Sequence, residues 1–354
     1  MTIHSHDLAQ TVILTGGTSG LGYACARTIA ASHPDWYLVI ASRNQRQGTQ
    51  AVNTLKQQTG LPVPQTGLQH IEWMPLDLAS LASVRAFAKE VAAHDLPPSH
   101  AIICNAGLQV VSRTTYTQDG FEMTFGVNCL GHFLLVNLLL RQLVAPARIV
   151  FVSSDSHNPE NSRTFMSRMI GTMPPRYRDA RALAWPEQYP DTQERNESPK
   201  VVGMRRYSTS KLYDIFYAYE LARRLQSQGY STPEHPITVN AFNPGPTPGT
   251  HLSRDAGAFG DFAWNVLFPR LRFAMPHMQS LDASGKALAR LVLDPALEDI
   301  SGKYFEGMEE RASSQESYDQ HKAADLWETS AEVVKLQPGE TILRVGPSLD
   351  AANA

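Results

Sequence analysis

Tyr207 and Lys211 stand four residues apart in RRYSTSKLYD, which runs from Arg205 to Asp214. On a helix, positions i and i+4 share a face, so a phenol and an ammonium can point into one cleft. A free phenol loses its proton at about pH 10. A cation beside it favours phenolate and lowers that value by roughly 1–3 pH units. The phenol then gives or takes a proton near neutral pH. Hydride transfer to a carbonyl makes an alkoxide that needs such a proton. The pair has a task if the chain also holds a hydride donor.

A place for one is written at the other end of the sequence. TVILT, Thr11 to Thr15, is a short β-branched apolar run. It leads into TGGTSGLG, Thr15 to Gly22, and then into a helical pattern. A strand, a glycine turn and a helix start make the geometry that holds a pyrophosphate, because glycine lets the backbone approach and the helix end offers free N–H groups. Gly16, Thr18, Ser19, Gly20, Leu21 and Gly22 are the expected contacts. The second strand ends in IASRN, with Ser42 and Arg43 and no acid. A carboxylate there would accept a ribose hydroxyl, whereas a guanidinium grips a 2′-phosphate with a fork of donors. Arg43 therefore points to NADP(H) rather than NAD(H).

The elements that must position these groups alternate along the chain. Apolar strands are expected at Thr11–Thr15, Trp36–Ala41, Ile71–Leu76, from Ala101, from Arg148 and from Ile237. Helices are expected from Leu21, from Leu81, from about Phe121 to Leu143, and from Tyr207 to about Gln228. Apolar strands separated by helices predict a Rossmann-type α/β fold, a doubly wound parallel sheet covered on both faces. The alternation predicts a single domain over 1–335, with an insert at 155–206. Residues 336–354 lack periodicity and read as a loose tail.

These motifs occur in the order of a known family, and over roughly residues 10 to 310 the chain resembles the short-chain dehydrogenases/reductases. TGGTSGLG is similar to their glycine turn. Asp77 and Leu78 in LDLAS match the region along the adenine. Asn105, Ala106 and Gly107 match the NAG motif after the fourth strand. Pro244, Gly245 and Thr247 match the loop beside the nicotinamide. The resemblance implies roles: Ser154 orients the substrate, Tyr207 exchanges the proton, Lys211 binds the ribose and supplies charge, and Asn128 holds a relay water. It also implies homo-oligomers formed through the helices after residues 121 and 207.

Most members place far fewer residues between the serine and the tyrosine. The insert contains six prolines, among them Pro174, Pro175 and Pro186, so it is not one long helix. With Phe165, Met166, Met169, Met173, Tyr177 and Trp185 it reads as a lid over a large apolar substrate pocket. The insert, SHNP after the serine, FEMTFGVNCLGHFLLVNLLL and GKYFEG resemble light-dependent protochlorophyllide reductases. Those enzymes carry a cysteine after the proline-glycine pair, where this chain has Pro246, which donates nothing. Retinol-type dehydrogenases share the remaining motifs without that cysteine. The expected activity is therefore dark NADPH-dependent exchange of hydride with a bulky apolar carbonyl or alcohol. The photoreductase is the alternative. A non-catalytic cofactor-binding regulator is a third, against which the intact Asn128, Ser154, Tyr207 and Lys211 set argues.

The bulk numbers fit. The 354 residues are 42% hydrophobic and 18% charged, with a formal net charge of -3. That composition suits a globular domain and points away from nucleic acid. MTIHSHDLAQ does not read as a secretory signal, and no stretch reaches the roughly 18–20 uninterrupted apolar residues of a spanning helix. A cytoplasmic setting is expected, with Cys25, Cys104 and Cys129 as buried thiols. No metal-ligand spacing is present. His132 and the tyrosines 213, 217 and 219 read as packing residues. The aromatic segment from Gly257 to Met278 fits either closure of the pocket or contact with a membrane surface.

Overall fold

The computed structural model describes residues 10–59, 71–161, 171–245, 247 and 279–345. Eight strands form one sheet in the order β3-β2-β1-β4-β5-β6-β7-β8. They are β1 (Thr11–Thr15), β2 (Tyr37–Ser42), β3 (Ile71–Pro75), β4 (Ser99–Cys104), β5 (Leu143–Val152), β6 (Ile237–Asn243), β7 (Tyr304–Glu306) and β8 (Glu309–Arg311). All neighbours are parallel except β7 and β8. The fold is thus the doubly wound α/β sheet that the alternation predicts. β8 closes one edge with the exposed charges Glu309, Glu310 and Arg311, which discourages pairing with another chain.

Helices cover both faces. On one side lie α1 (Gly20–Ser32) and α2 (Gln45–Thr59), and α3 (Leu81–Ala93) lies on the other. A helical run follows with Met123–Phe125, a π-helical turn over Gly126–Leu130 and α4 (Gly131–Leu139). Then come α5 (Ala180–Ala184), α6 (Pro199–Ser227), α7 (Leu281–Leu293) and α8 (Gln320–Val333). One apolar core lies under α1, α2 and α7, the other under α3, α4, α6 and α8. The run Met123–Gln142 is long and, on average, apolar enough to cross a bilayer, although Asn128, His132 and Asn137 interrupt it, and it is buried inside the domain.

The register sets the carboxyl ends of β1, β4, β5 and β6 side by side. Leu14 pairs with Ile103, Cys104 with Phe151, and Val152 with Phe242. The chain reverses direction across the sheet between β1 and β4, and ligands bind at such a switch point.

Three expectations change. First, α6 begins at Pro199, not Tyr207, because Ser198 caps it by accepting from Val201 N and Pro199 suits the first helical position. Second, much of the insert is structure. Tyr177 packs on Tyr213 and Phe216 at 5.8 and 6.0 Å, and Trp185 meets Phe121 edge-on at 5.6 Å. These two aromatic rings therefore serve the core and do not roof a pocket, while Phe165, Met166 and Met169 lie outside the described residues. Third, the first part of the expected tail is packed. Leu336 and Leu343 are buried, and Glu340 pairs with Arg85 at 2.8 Å. The segment lacks periodicity because side-chain anchors hold it, not a regular ladder. The segment from Gly257 to Met278 also lies outside the described residues.

Helix α1 carries the glycine turn and rests directly on α7. A Cβ added to Gly285 would lie 2.5 Å from Ala24 Cβ and 2.7 Å from the Ala24 backbone. Gly285→Ala is therefore expected to push the two helices apart and cost about 1–3 kcal/mol of stability, read by urea unfolding.

Candidate active site

The glycine turn folds against the chain after β4. Gly16 and Gly20 take left-handed φ of 70° and 57°, a conformation glycine adopts without strain. A Cβ on Gly16 would come within 2.9 Å of Ala106 Cα, and one on Gly22 within 2.4 Å of Gly16 O. The Asn105 amide donates to Thr15 O at 2.8 Å and to Gly16 O at 3.3 Å. The Thr15 hydroxyl accepts from Asn105 N and Ala106 N, each at 3.0 Å, and lies 2.9 Å from His132 Nε2. Asn105 and Ala106 therefore brace the turn from behind.

The front of the turn fits an anion. Ser19 at the N-cap of α1 makes no side-chain capping bond, and the first turn holds no acid. The leading N–H groups are left for a phosphate. Thr18 is partly buried and Ser19 exposed, while Leu21 turns into the core. Arg43 is exposed just past β2. Ser42 beside it accepts from Trp73 Nε1 at 2.9 Å. Asp77 accepts from Ala79 N at 3.0 Å and Leu78 is buried against Gly131, so both shape the loop after β3.

The serine, tyrosine and lysine come together at the end of β5. The Ser154 hydroxyl lies near enough to the Tyr207 phenol to favour its ionised form, and the Lys211 ammonium lies 5.8 Å from the Tyr207 ring centroid. Lys211 donates to Val152 O at 2.8 Å and to Asp214 at 2.9 Å, with both side chains buried. A Cβ on Gly107 would stand 3.7 Å from Lys211 Nζ and 3.5 Å from Asn128 Oδ1, so glycine keeps open the space before them. Asn128, in the π-helical turn, is 1% exposed. Its amide donates to Leu108 O at 2.9 Å and Ser210 Oγ at 3.0 Å, and its oxygen accepts from Leu108 N at 2.9 Å. Both N–H donors and one acceptor site of the side chain are thus used in joining three segments. A π-turn at this point is in keeping with their frequent occurrence at functional sites.

One electrostatic expectation is overturned. Burial raises the Tyr207 phenol, and Lys211 and the Ser154 hydroxyl, which lower it, do not compensate; Asp214 raises it further. The lysine does not act alone because its counter-ion lies one turn further along α6. Asp214 is pushed up to about 6 by burial, against the pull of Lys211.

Two further residues escaped the motif reading. Asp214 was legible only as an i+3 neighbour of Lys211. His157, 2% exposed, holds the chain after Ser154. Ser314 N donates to its Nε2 at 3.0 Å, which leaves the proton on Nδ1, 2.7 Å from Ser154 O. Its only sequence signal was its place in SHNP. His132 packs as expected, with Nδ1 3.0 Å from Asn128 O. On the far side of the site, Pro244 and Gly245 begin a loop in which Thr247 is buried. The Thr247 hydroxyl bonds Pro244 O and Gly245 O, each at 3.1 Å, and Ser284 Oγ at 2.9 Å. Pro246 lies outside the described residues. A groove of about 640 Å³ lined by Tyr219, Arg223, Thr232 and Tyr318 sits at the other end of α6, and neither Ser154 nor Tyr207 lines it.

Comparison with known proteins agrees with this geometry. The family model for short chain dehydrogenase matches residues 10–164. The chain is 33% identical over 331 residues to Retinol dehydrogenase 13 of Homo sapiens, covering 93% of this chain and 85% of that protein. It is 32% identical over 337 residues to the WW domain-containing oxidoreductase of Danio rerio, covering 94% and 70%. It is 31% identical over 338 residues to Protochlorophyllide reductase B, chloroplastic, of Hordeum vulgare, covering 92% and 78%. Among solved structures, an uncharacterized protein from Mycobacterium Paratuberculosis aligns with a TM-score of 0.61 and 27% identity, over 95% of this chain and 98% of that one.

The His157 bridge gives a pH prediction. Burial lowers His157 to about 4, against the bond to Ser154 O; unfolded histidine titrates at about 6.5. The unfolded chain therefore binds the extra proton first, and stability falls as pH drops from about 6.5 to about 4. Urea midpoints across that window should show the wild type losing about 3 kcal/mol more than His157→Gln.

Proposed function

The chain belongs to the short chain dehydrogenase family and is an oxidoreductase, and from that premise we propose that it moves a hydride between NADP(H) and a bulky apolar carbonyl or alcohol. The observation that carries this reading is the convergence of Ser154 and Tyr207 beside the buried Lys211 ammonium, which is held at the end of β5 by Val152 O. The NADP(H) preference rests on exposed Arg43 at the end of β2, where no acid stands to repel a phosphate. The uncapped start of α1 would receive the pyrophosphate. Retinol dehydrogenase 13, similar over 93% of this chain, supports an alcohol or aldehyde as the reacting group.

The nicotinamide supplies the hydride. The chain's own residues do the rest. Ser154 donates a hydrogen bond to the substrate oxygen and holds it beside the Tyr207 hydroxyl. Tyr207 passes its proton to that oxygen as alkoxide charge builds, and takes a proton from the alcohol in the reverse direction. The Lys211 ammonium stabilises the resulting phenolate and keeps one N–H for a ribose hydroxyl. Asn128 fixes Ser210 and the 108 segment, so the space beside Gly107 stays shaped for a ligand.

A second reading is light-dependent reduction of a ring double bond, favoured by 31% identity to Protochlorophyllide reductase B over nearly the same span. Turnover of NADPH with a retinal-like aldehyde and with protochlorophyllide, in light and in darkness, separates the two. Dark activity on the aldehyde supports the first; activity on the pigment only in light replaces it.

Tyr207→Phe is expected to lower kcat by about 10²–10⁴-fold while dinucleotide binding by fluorescence is unchanged. A Phe variant at wild-type rate removes the phenol from the reaction. Arg43→Asp should weaken NADP(H) relative to NAD(H) by roughly tenfold or more, the loss of about 1.5–3 kcal/mol from charge-assisted bonds. The ratio of kcat/KM for the two cofactors reports it.

A further inference from the structure

Lys211 is the charged half of the opening pair, yet the anion against it is Asp214. The carboxylate lies 2.9 Å from Nζ and the residue is 2% exposed. An ammonium has three N–H bonds; here one goes to Val152 O and one to Asp214. We propose that Asp214 is a positioning residue of the reaction. It pins Lys211 to the end of β5 and offsets its charge, so the pair, and not the lysine alone, sets the pH at which Tyr207 exchanges its proton. This inference rests on Tyr207 being the proton carrier, as proposed above.

The surroundings leave the pair dominant. Against it lie Cys104 on β4, Cys129 in the π-helical turn, His132 on α4, and Tyr207 and Tyr217 on α6 itself. Burial raises both thiols and holds them neutral, and lowers His132 to about 4. Burial also raises the Tyr217 phenol, which donates or accepts one bond with Ser330. Near neutral pH the charges that act on Tyr207 are therefore those of Lys211 and Asp214, while the buried Glu122 carboxyl beside the π-helical turn acts on Cys129 and not on Tyr207. Below about pH 6 Asp214 takes a proton and the lysine stands uncompensated. Val152 O is two residues before Ser154, so the position of the ammonium also sets the spacing between serine and tyrosine.

Asp214→Asn keeps an oxygen for Lys211 and removes the charge. Two readouts are compared with wild type. One is the pH profile of kcat/KM for alcohol oxidation with NADP⁺. The other needs no turnover: the ultraviolet titration of tyrosinate, taken as the difference between each protein and its Tyr207→Phe counterpart. The acid limb and the Tyr207 titration should both move down by about one pH unit, as expected for a phenol beside an uncompensated cation. Asp214→Ser, which also removes the charge, serves if the first variant does not fold. Coincident titrations in a folded variant would overturn the inference. A shifted titration with no turnover on any carbonyl would overturn the dehydrogenase reading and leave the role of Asp214 standing.

Discussion

An ammonium buried at 5% exposure, that of Lys211, is the constraint around which the candidate site of this protein is built. Removing such a charge from water costs several kcal/mol unless partners replace the lost hydration. The replacements come from different elements: Val152 O from β5 and Asp214 from α6 itself. Ser153, next to Val152, donates its hydroxyl to Lys211 O at 2.6 Å. Side chain and backbone of Lys211 thus both tie α6 to the last residues of β5. Ser154 follows directly in sequence and Tyr207 stands one turn back along the helix. The two must meet once Lys211 is satisfied.

A second knot ties this assembly to the glycine turn. The Thr15 hydroxyl gathers Asn105 N, Ala106 N and His132 Nε2, and His132 reaches on to Asn128 O. One side chain at the end of β1 thereby fixes the loop after β4 and the π-helical turn. His132 fills this place as a neutral ring with its proton on Nδ1, which donates to Asn128 O, while Nε2 meets the Thr15 hydroxyl, itself 3.3 Å from Ile103 O. Burial favours that neutral form by lowering it to about 4. The expected cofactor contacts at 105–107 belong partly to this knot. Asn105 and Ala106 hold the turn in place, and Gly107 leaves room before Lys211.

The fold and the shared face of Tyr207 and Lys211 were legible because they depend on local signals. β1 begins and ends where TVILT does, and Tyr207 and Lys211 share a face by helical spacing alone. What was not legible depends on direction in space. Tyr177 and Trp185 have a composition that suits a pocket roof as well as a core, and only the fold shows them pointing inward. Ser198 and Pro199 did carry a helix-start signal, but it lay within a proline-rich stretch that hid it. Asp214 was invisible as a partner because spacing of three on a helix fits a surface ion pair equally well. Burial distinguishes the two cases, and sequence does not state burial.

The same inward direction bears on association. The resemblance implied contact between chains through the helices after residues 121 and 207. In this chain that layer is already occupied. Trp327 on α8 packs edge-on against Phe133 at 4.8 Å and near Tyr217 at 6.4 Å. Tyr217 bonds Ser330 at 2.6 Å, and Arg224 reaches Glu328 at 2.6 Å. From the insert, Arg178 N donates to Tyr213 OH and Arg176 N to Thr209 Oγ1. A partner chain seated on α4 and α6 would have to displace α8 and the stretch after residue 171. It would then leave Tyr213 and Tyr217, both essentially fully buried, without their hydrogen-bond partners. Each orphaned buried group costs about 1–3 kcal/mol. The insert that lengthens the path from Ser154 to Tyr207 therefore holds α6 from the outside, as the Lys211 pair holds it from within.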